Sequence, residues 1–239
     1  MKKQKSYQRV GNLRVMGKDK LKRFKENISF KNLFQPELSF DSTSHELKEN
    51  WQTEFCNKNP IILELGCGRG EYTTGLAKLF PNQNFIGIDI KGARLWKGAK
   101  TATENKLINV RFLRTKVDFI EKFFGSEEVD EIWLTFSDPQ PKKPRKRLTS
   151  PLFINRYKTF LKKNGIIHLK TDSDLLYEYT LEQIKEQNFT IIKNINDIYS
   201  SKSKLENKLM DLLHIKTFYE EKWLKESIKI KYISFRLNN

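Results

Sequence analysis

Two cysteines, Cys56 and Cys67, in 239 residues are too few for a disulfide framework. The three histidines, His45, His168 and His214, are scattered, with no cysteine or histidine at ligand spacing. A structural zinc is therefore not expected, and no other metal site is read. No stretch approaches the ~18 apolar residues of a membrane span, and no apolar run follows the opening MKKQKSYQRV. The chain reads as soluble and cytoplasmic, with no membrane partner. Acid is also scarce: 29 Asp and Glu stand against 45 Lys and Arg, a formal charge of +16. An excess of that size favours a polyanionic partner, nucleic acid before an anionic membrane surface.

Length fits one domain with a short extension. Residues 1–35 are strongly basic and lack sustained apolar periodicity. They read as a mobile arm able to fold against a polyanion. The stretch DSTSHELKENWQTEFC carries helix signals, with Ser42–Ser44 as caps and Leu47, Trp51 and Phe55 at a spacing of four. From Pro60 short apolar runs alternate with helical patterns. Strands are expected near Ile61–Leu65, Phe85–Ile90, Val110–Leu113, Glu131–Phe136, Gly165–Lys170, Phe189–Ile195 and Ile228–Leu237. Such alternation implies a mostly parallel sheet covered on both faces, a single α/β domain over residues 36–239. No strong helix is expected between the last two strands, which suggests an antiparallel final pair at one sheet edge.

The most informative stretch is IILELGCGRGE. A strand runs into Gly66, Gly68 and Gly70, and a helix follows; glycines there let the backbone turn tightly and approach a ligand. Dinucleotide sites use G-x-G-x-x-G and set a pyrophosphate at the helix N-terminus. This loop is G-x-G-x-G, with Glu64 two residues before the first glycine. A carboxylate would repel a pyrophosphate but suits the sulfonium and ammonium of S-adenosylmethionine. Asp89 ends the second strand, nineteen residues after Gly70, where an acid accepts ribose hydroxyls. Asp118 follows the third strand, where it could accept an adenine amino group. All three acids would lie at the carboxyl ends of strands, where open α/β sheets bind ligands.

The fourth strand leads into FSDPQPKKPRKR, with Asp138-Pro139 followed by Lys142, Lys143, Arg145, Lys146 and Arg147. LELGCGRG, GIDIKG, this acidic-then-basic stretch, LKTD at 169–172 and TFYE at 217–220 together resemble the bacterial tRNA (guanine-N7-)-methyltransferases. The resemblance spans about Ile61 to Arg236, and the motifs fall in that family's order. Where the family usually reads FPDPW, this chain has Phe136-Ser137-Asp138-Pro139-Gln140, without the tryptophan.

The resemblance implies a Rossmann-like class I methyltransferase: a seven-stranded, mostly parallel sheet with an antiparallel edge strand and helices on both faces. It implies S-adenosylmethionine held by Glu64, Gly66, Gly68, Asp89, Asp118 and Asp138, with Asp138 also the catalytic residue, its carboxylate accepting from the guanine and offsetting the charge that develops on it. Lys142, Asp172, Thr217, Phe218, Tyr219 and Glu220 would contact tRNA, and the five basic residues after Asp138 would pair with its phosphates. Proteins of this family are monomers or homodimers, and the sequence does not choose. Three other readings stay open: a different base-nitrogen methyltransferase, a basic RNA-binding protein on the same fold, and a nicotinamide-linked dehydrogenase. The absence of an aromatic directly after Asp138-Pro139 weighs against an adenine enzyme, and Glu64 against the dehydrogenase.

Overall fold

The computed structural model describes residues 21–37, 43–200 and 207–238. Among them, strands β1 (Leu33–Phe34), β2 (Ile61–Leu65), β3 (Asn84–Asp89), β4 (Val110–Arg114), β5 (Val129–Thr135), β6 (Leu161–Thr171), β7 (Thr190–Ile195) and β8 (Lys231–Arg236) form one sheet. Its order is β1-β4-β3-β2-β5-β6-β8-β7. The helices are α1 over residues 21–27, α2 (Trp51–Phe55), α3 (Glu71–Leu79), α4 (Gly92–Glu104), α5 (Pro151–Tyr157), α6 (Asp174–Glu186), α7 (Asn207–Leu213) and α8 (Phe218–Lys225).

Strand β2 is buried along its whole length, as a central parallel strand must be. Period-two alternation divides its side chains. Leu63 and Leu65 enter one apolar layer with Trp51, Phe124 and Phe160. Ile62 enters the other, with Tyr72, Phe112 and Trp133. Strand β3 pairs with β2 on one side and β5 pairs on the other. The strand order therefore reverses at the carboxyl end of β2, the crevice in which doubly wound sheets bind ligands.

Three expectations are corrected and one holds. The sheet has eight strands rather than seven, because Leu33–Phe34 pairs in parallel with β4. The expected antiparallel final pair closes one edge of the sheet: β8 lies between β6 and the outermost β7 and runs antiparallel to both. Two helices, α7 and α8, fill the stretch between the last two strands. Finally, the mobile arm does not extend to residue 35. Residues 1–20 lie outside the described residues, but from Leu21 onward the chain is helical and then joins the sheet. Asn27 Nδ2 donates to the Gly92 carbonyl at 3.0 Å and Asn32 Nδ2 to the Ala99 carbonyl at 3.1 Å, fixing this segment along α4.

Candidate active site

Three features of backbone build the site. At the end of β2, the amides of Gly66 and Cys67 both donate to the Ile88 carbonyl, at 2.7 and 3.0 Å. Gly68 has φ of 58°, and a Cβ there would meet nothing within 4 Å, so bare backbone faces open space. Gly70 has φ of 68°, and a Cβ on it would strike the Phe112 ring. The glycine at 68 frees room for a ligand, and the one at 70 lets α3 pack on the sheet.

Glu64 projects from β2 into this turn and is 4% exposed. Its Oε2 accepts from the Thr73 amide at 2.8 Å and from the Thr73 hydroxyl, both on the first turn of α3. Burial pushes its carboxyl up to about 8, against these hydrogen bonds. Asp89, at the end of β3, accepts from the Gly68 amide at 3.0 Å and from the Lys91 amide at 2.7 Å. It thus braces the glycine loop as well as facing the crevice. Asp118 begins the short 3₁₀ helix Val117–Lys122 and is exposed, with Arg156 at 3.5 Å.

Two cavities meet at Gly66. One, of about 440 Å³, is lined by Asp89, Val117, Asp118, Gln140, Leu148 and Phe153, and so pairs two acids with apolar side chains. The other, of about 550 Å³, is lined at its base by Glu64, Gly68 and Thr135, and elsewhere by Phe136, Phe218 and Tyr219. Phe136 lines the larger cavity and Gln140 the smaller; Asp138, between them in sequence, lines neither. Asp138 itself is exposed; its Oδ1 accepts from the Gln140 amide at 2.9 Å. Phe136 and Gln140 have φ of 51° and 45°, so the loop turns sharply on either side of the acid.

An acid-braced crevice joined to an aromatic-lined cavity is the layout of a methyl-transfer site, and comparison with known proteins agrees. Residues 58–233 match a family model described as a putative methyltransferase. A tRNA (guanine-N(7)-)-methyltransferase of Bacteroides fragilis is 49% identical over 224 residues, 93% of this chain and 87% of the relative. One from Christiangramia forsetii is 48% identical, over 92% of this chain and 98% of its own length. The chain belongs to the tRNA (guanine-N(7)-)-methyltransferase family. Its cofactor is S-adenosylmethionine. Among solved structures, the 16S rRNA methyltransferase KamB superposes with a TM-score of 0.61 at 11% identity, covering 83% of this chain and 96% of that one. At that identity the likeness speaks for the fold.

As a member of this family, the chain places the residues of its late motifs unevenly. Phe218 and Tyr219 open α8, are 51% and 46% exposed, and stand at the cavity mouth. The Arg69 guanidinium lies 4.7 Å from the Phe218 ring centre. Thr217 lines the cavity but is also the N-cap of α8, in a capping box with Glu220. Glu220 is wholly buried and does not reach the cavity. Its carboxylate pairs with Lys170 at 2.7 Å and accepts from the Tyr199 hydroxyl at 2.8 Å. Asp172 is half-buried, lines neither cavity and does not cap α6; that cap is Ser173, whose side chain accepts from the Leu176 amide.

The basic run divides too. Lys142, Lys143, Arg145 and Lys146 are exposed. Arg147 is not: it is buried, donates to the Pro139 carbonyl at 2.9 Å and lies over the Tyr179 ring at 4.3 Å. It anchors the loop and is no phosphate ligand. Sequence reading missed Thr73, which holds Glu64, and Lys170, which holds Glu220. The signal for Thr73 was available, since a threonine nine residues after an acid, in the first turn past a glycine loop, is placed to bond it.

Proposed function

We propose that this chain methylates N7 of a variable-loop guanine in tRNA, in the cytoplasm. The observation that supports this most is the split of charge around one crevice. Acids line its inner part, and exposed Lys142, Lys143, Arg145 and Lys146 follow directly on the loop that carries Asp138. The residues fit S-adenosylmethionine. Asp89 and Asp118, with Val117, Leu148 and Phe153, suit ribose hydroxyls and an adenine. Gly66 and Gly68 allow close backbone approach, and buried Glu64 suits a cationic end. Bound there, the cofactor supplies an electrophilic methyl group on sulfur.

Guanine N7 carries a lone pair and no proton, so no general base is needed and the protein contributes position and charge. Asp138, exposed on the loop between Phe136 and Gln140 and with one backbone donor on it among the described residues, has free lone pairs for the guanine Watson–Crick edge. Its carboxylate also offsets the positive charge that grows on the alkylated ring. Phe218 and Tyr219 offer stacking faces to a base drawn out of its stack. Lys142 and the exposed cations beside it take the flanking phosphates. Glu220 acts indirectly, by fixing α8 under those two aromatics.

The test is methylation of unmodified tRNA by the purified protein with labelled donor, followed by mapping of the product. N7-methylguanine in the variable loop is expected. Label on another base, or a preference for duplex DNA, would overturn the assignment.

A further inference from the structure

The larger cavity has a wall that the motifs do not touch. It is made by α1 and α4 and carries Arg23, Arg94, Trp96 and Lys97. Arg94 and Lys97 are three apart on α4 and share a face. Arg23 comes from α1, which is fastened to α4 through Asn27 on Gly92 and through Glu26, whose carboxylate accepts from Trp96 Nε1. The Arg23 guanidinium lies 4.9 Å from the Trp96 ring centre and Lys100 Nζ lies 5.1 Å from it. Trp96 therefore has cations on its ring and a carboxylate at its edge, and serves as a prop for Arg23 rather than a platform for a base.

Several cations elsewhere are held by carboxylates: Arg111 by Glu54, Lys162 by Asp130, Lys231 by Asp174, Lys170 by Glu220. Among the described residues, Arg23, Arg94 and Lys97 have no such partner. The same cavity also holds Arg69 and the carboxylates of Glu64 and Glu71, so four cations face two acids; the excess of like charge repels, and an anionic ligand removes that cost. Arg23 and Lys97 are also exposed, so the ligand reaches from the cavity into solvent. Three cations on two helices exceed what one cofactor carboxylate can engage, and they suit successive phosphates of a polynucleotide.

We propose that Arg23, Arg94 and Lys97 form a second phosphate site, separate from the Lys142–Lys146 loop, that holds the tRNA backbone beside the target nucleotide. This rests on the reading of the cavity as the methylation site. It makes α1 a part of the substrate site and Trp96 the residue that positions Arg23.

The experiment compares wild type with Arg94→Ala/Lys97→Ala and with Arg23→Gln. It measures the KM for tRNA, the salt dependence of tRNA binding, and the Kd for S-adenosylmethionine by calorimetry. The double variant should raise the KM about tenfold or more and lower the log–log salt slope by roughly 1–2, with cofactor Kd within about twofold of wild type. Arg23→Gln should show the same pattern with a slope change of about 1. Restoration by Arg94→Lys/Lys97→Arg would separate lost charge from lost fold. An unchanged KM and slope overturns the proposal. So does a weakened cofactor Kd with an unmoved slope, which would assign these cations to the cofactor carboxylate. A wild type that methylates some other acceptor refutes the functional reading instead, and the slope measured on that acceptor still decides the site.

Discussion

Lys170 Nζ and the Glu220 carboxylate meet at 2.7 Å with both side chains wholly buried. Lys170 also donates to the carbonyls of Leu213 and Ile215, at 2.7 and 3.1 Å, so one ammonium ties strand β6 to the end of α7 and the start of α8. Burial draws Lys170 down to about 8 while Glu220 opposes the shift. Removing one partner leaves a buried charge unpaired, so Glu220→Ala should cost about 3–5 kcal/mol by urea unfolding. Replacing both, as Lys170→Met/Glu220→Leu, should cost clearly less than the sum of the single changes. Equal, additive costs would show that the two groups do not depend on each other. The variants should also raise the KM for tRNA, because Phe218 and Tyr219 ride on α8.

Glu64 gives the site a pH dependence. Its carboxyl, pushed up to about 8, holds a proton at pH 7 in the free protein, and a cationic ligand end favours the ionised form. Donor affinity should therefore increase as pH rises from 6 to 8 and level off above. Calorimetry in buffers of different ionisation enthalpy should record proton release below pH 8. Glu64→Gln should bind weakly with no such trend. For the free protein the sign is opposite. The folded state keeps a proton that the unfolded chain loses above its ordinary value of 4.5, so stability falls as pH rises from 4.5 through about 8. A melting temperature in Glu64→Gln that tracked wild type across that range would contradict this.

What could be read in the sequence was what is local. The strand–glycine–helix turn with Glu64 and Asp89 is specified by residues within thirty positions of one another, and the structure brings them together at Gly66. Spacing failed where distant carboxylates decide the backbone. Leu47, Trp51 and Phe55 are core residues as their spacing suggests, yet helix α2 begins only at Trp51. Glu49 has φ of 66°, and Glu128, far along the chain, accepts from the Glu49 and Trp51 amides. The α1–α4 wall was illegible for the same reason: Asn27 and Gly92 are 65 residues apart. Motif membership likewise did not reveal that Glu220 and Arg147 turn inward, since a charge run does not say which member finds a buried partner.

Arg147 and its neighbours should separate cleanly in experiment. Arg147→Ala removes the hydrogen bond to Pro139 and the contact with Tyr179, and should cost about 1–3 kcal/mol, read by urea unfolding. Lys142→Ala/Lys143→Ala alters exposed side chains and should change stability by about 0.5 kcal/mol at most. The lysine pair should instead weaken tRNA binding at all sequences and reduce its salt slope by roughly 1–2. The reverse assignment of effects would mean that Arg147 leaves its place over Tyr179 to bind phosphate.

Asp138 is best tested with the Asp138→Asn variant. The Asp138 Oδ1 accepts from the Gln140 amide, and an amide oxygen can do the same, so the sharp loop between Phe136 and Gln140 should persist. Thermal stability is then expected to match wild type, since the side chain is exposed and has no other partner among the described residues. What the substituted amide cannot provide is a negative charge beside a guanine that becomes cationic, nor a second acceptor for its Watson–Crick edge. Removing one preorganised electrostatic contact of this kind typically lowers turnover about 10²–10³-fold. Single-turnover methylation of bound tRNA isolates that step from binding and release. A loss confined to KM, with the single-turnover rate preserved, would make Asp138 a docking residue and leave the charge on the product ring to be offset elsewhere.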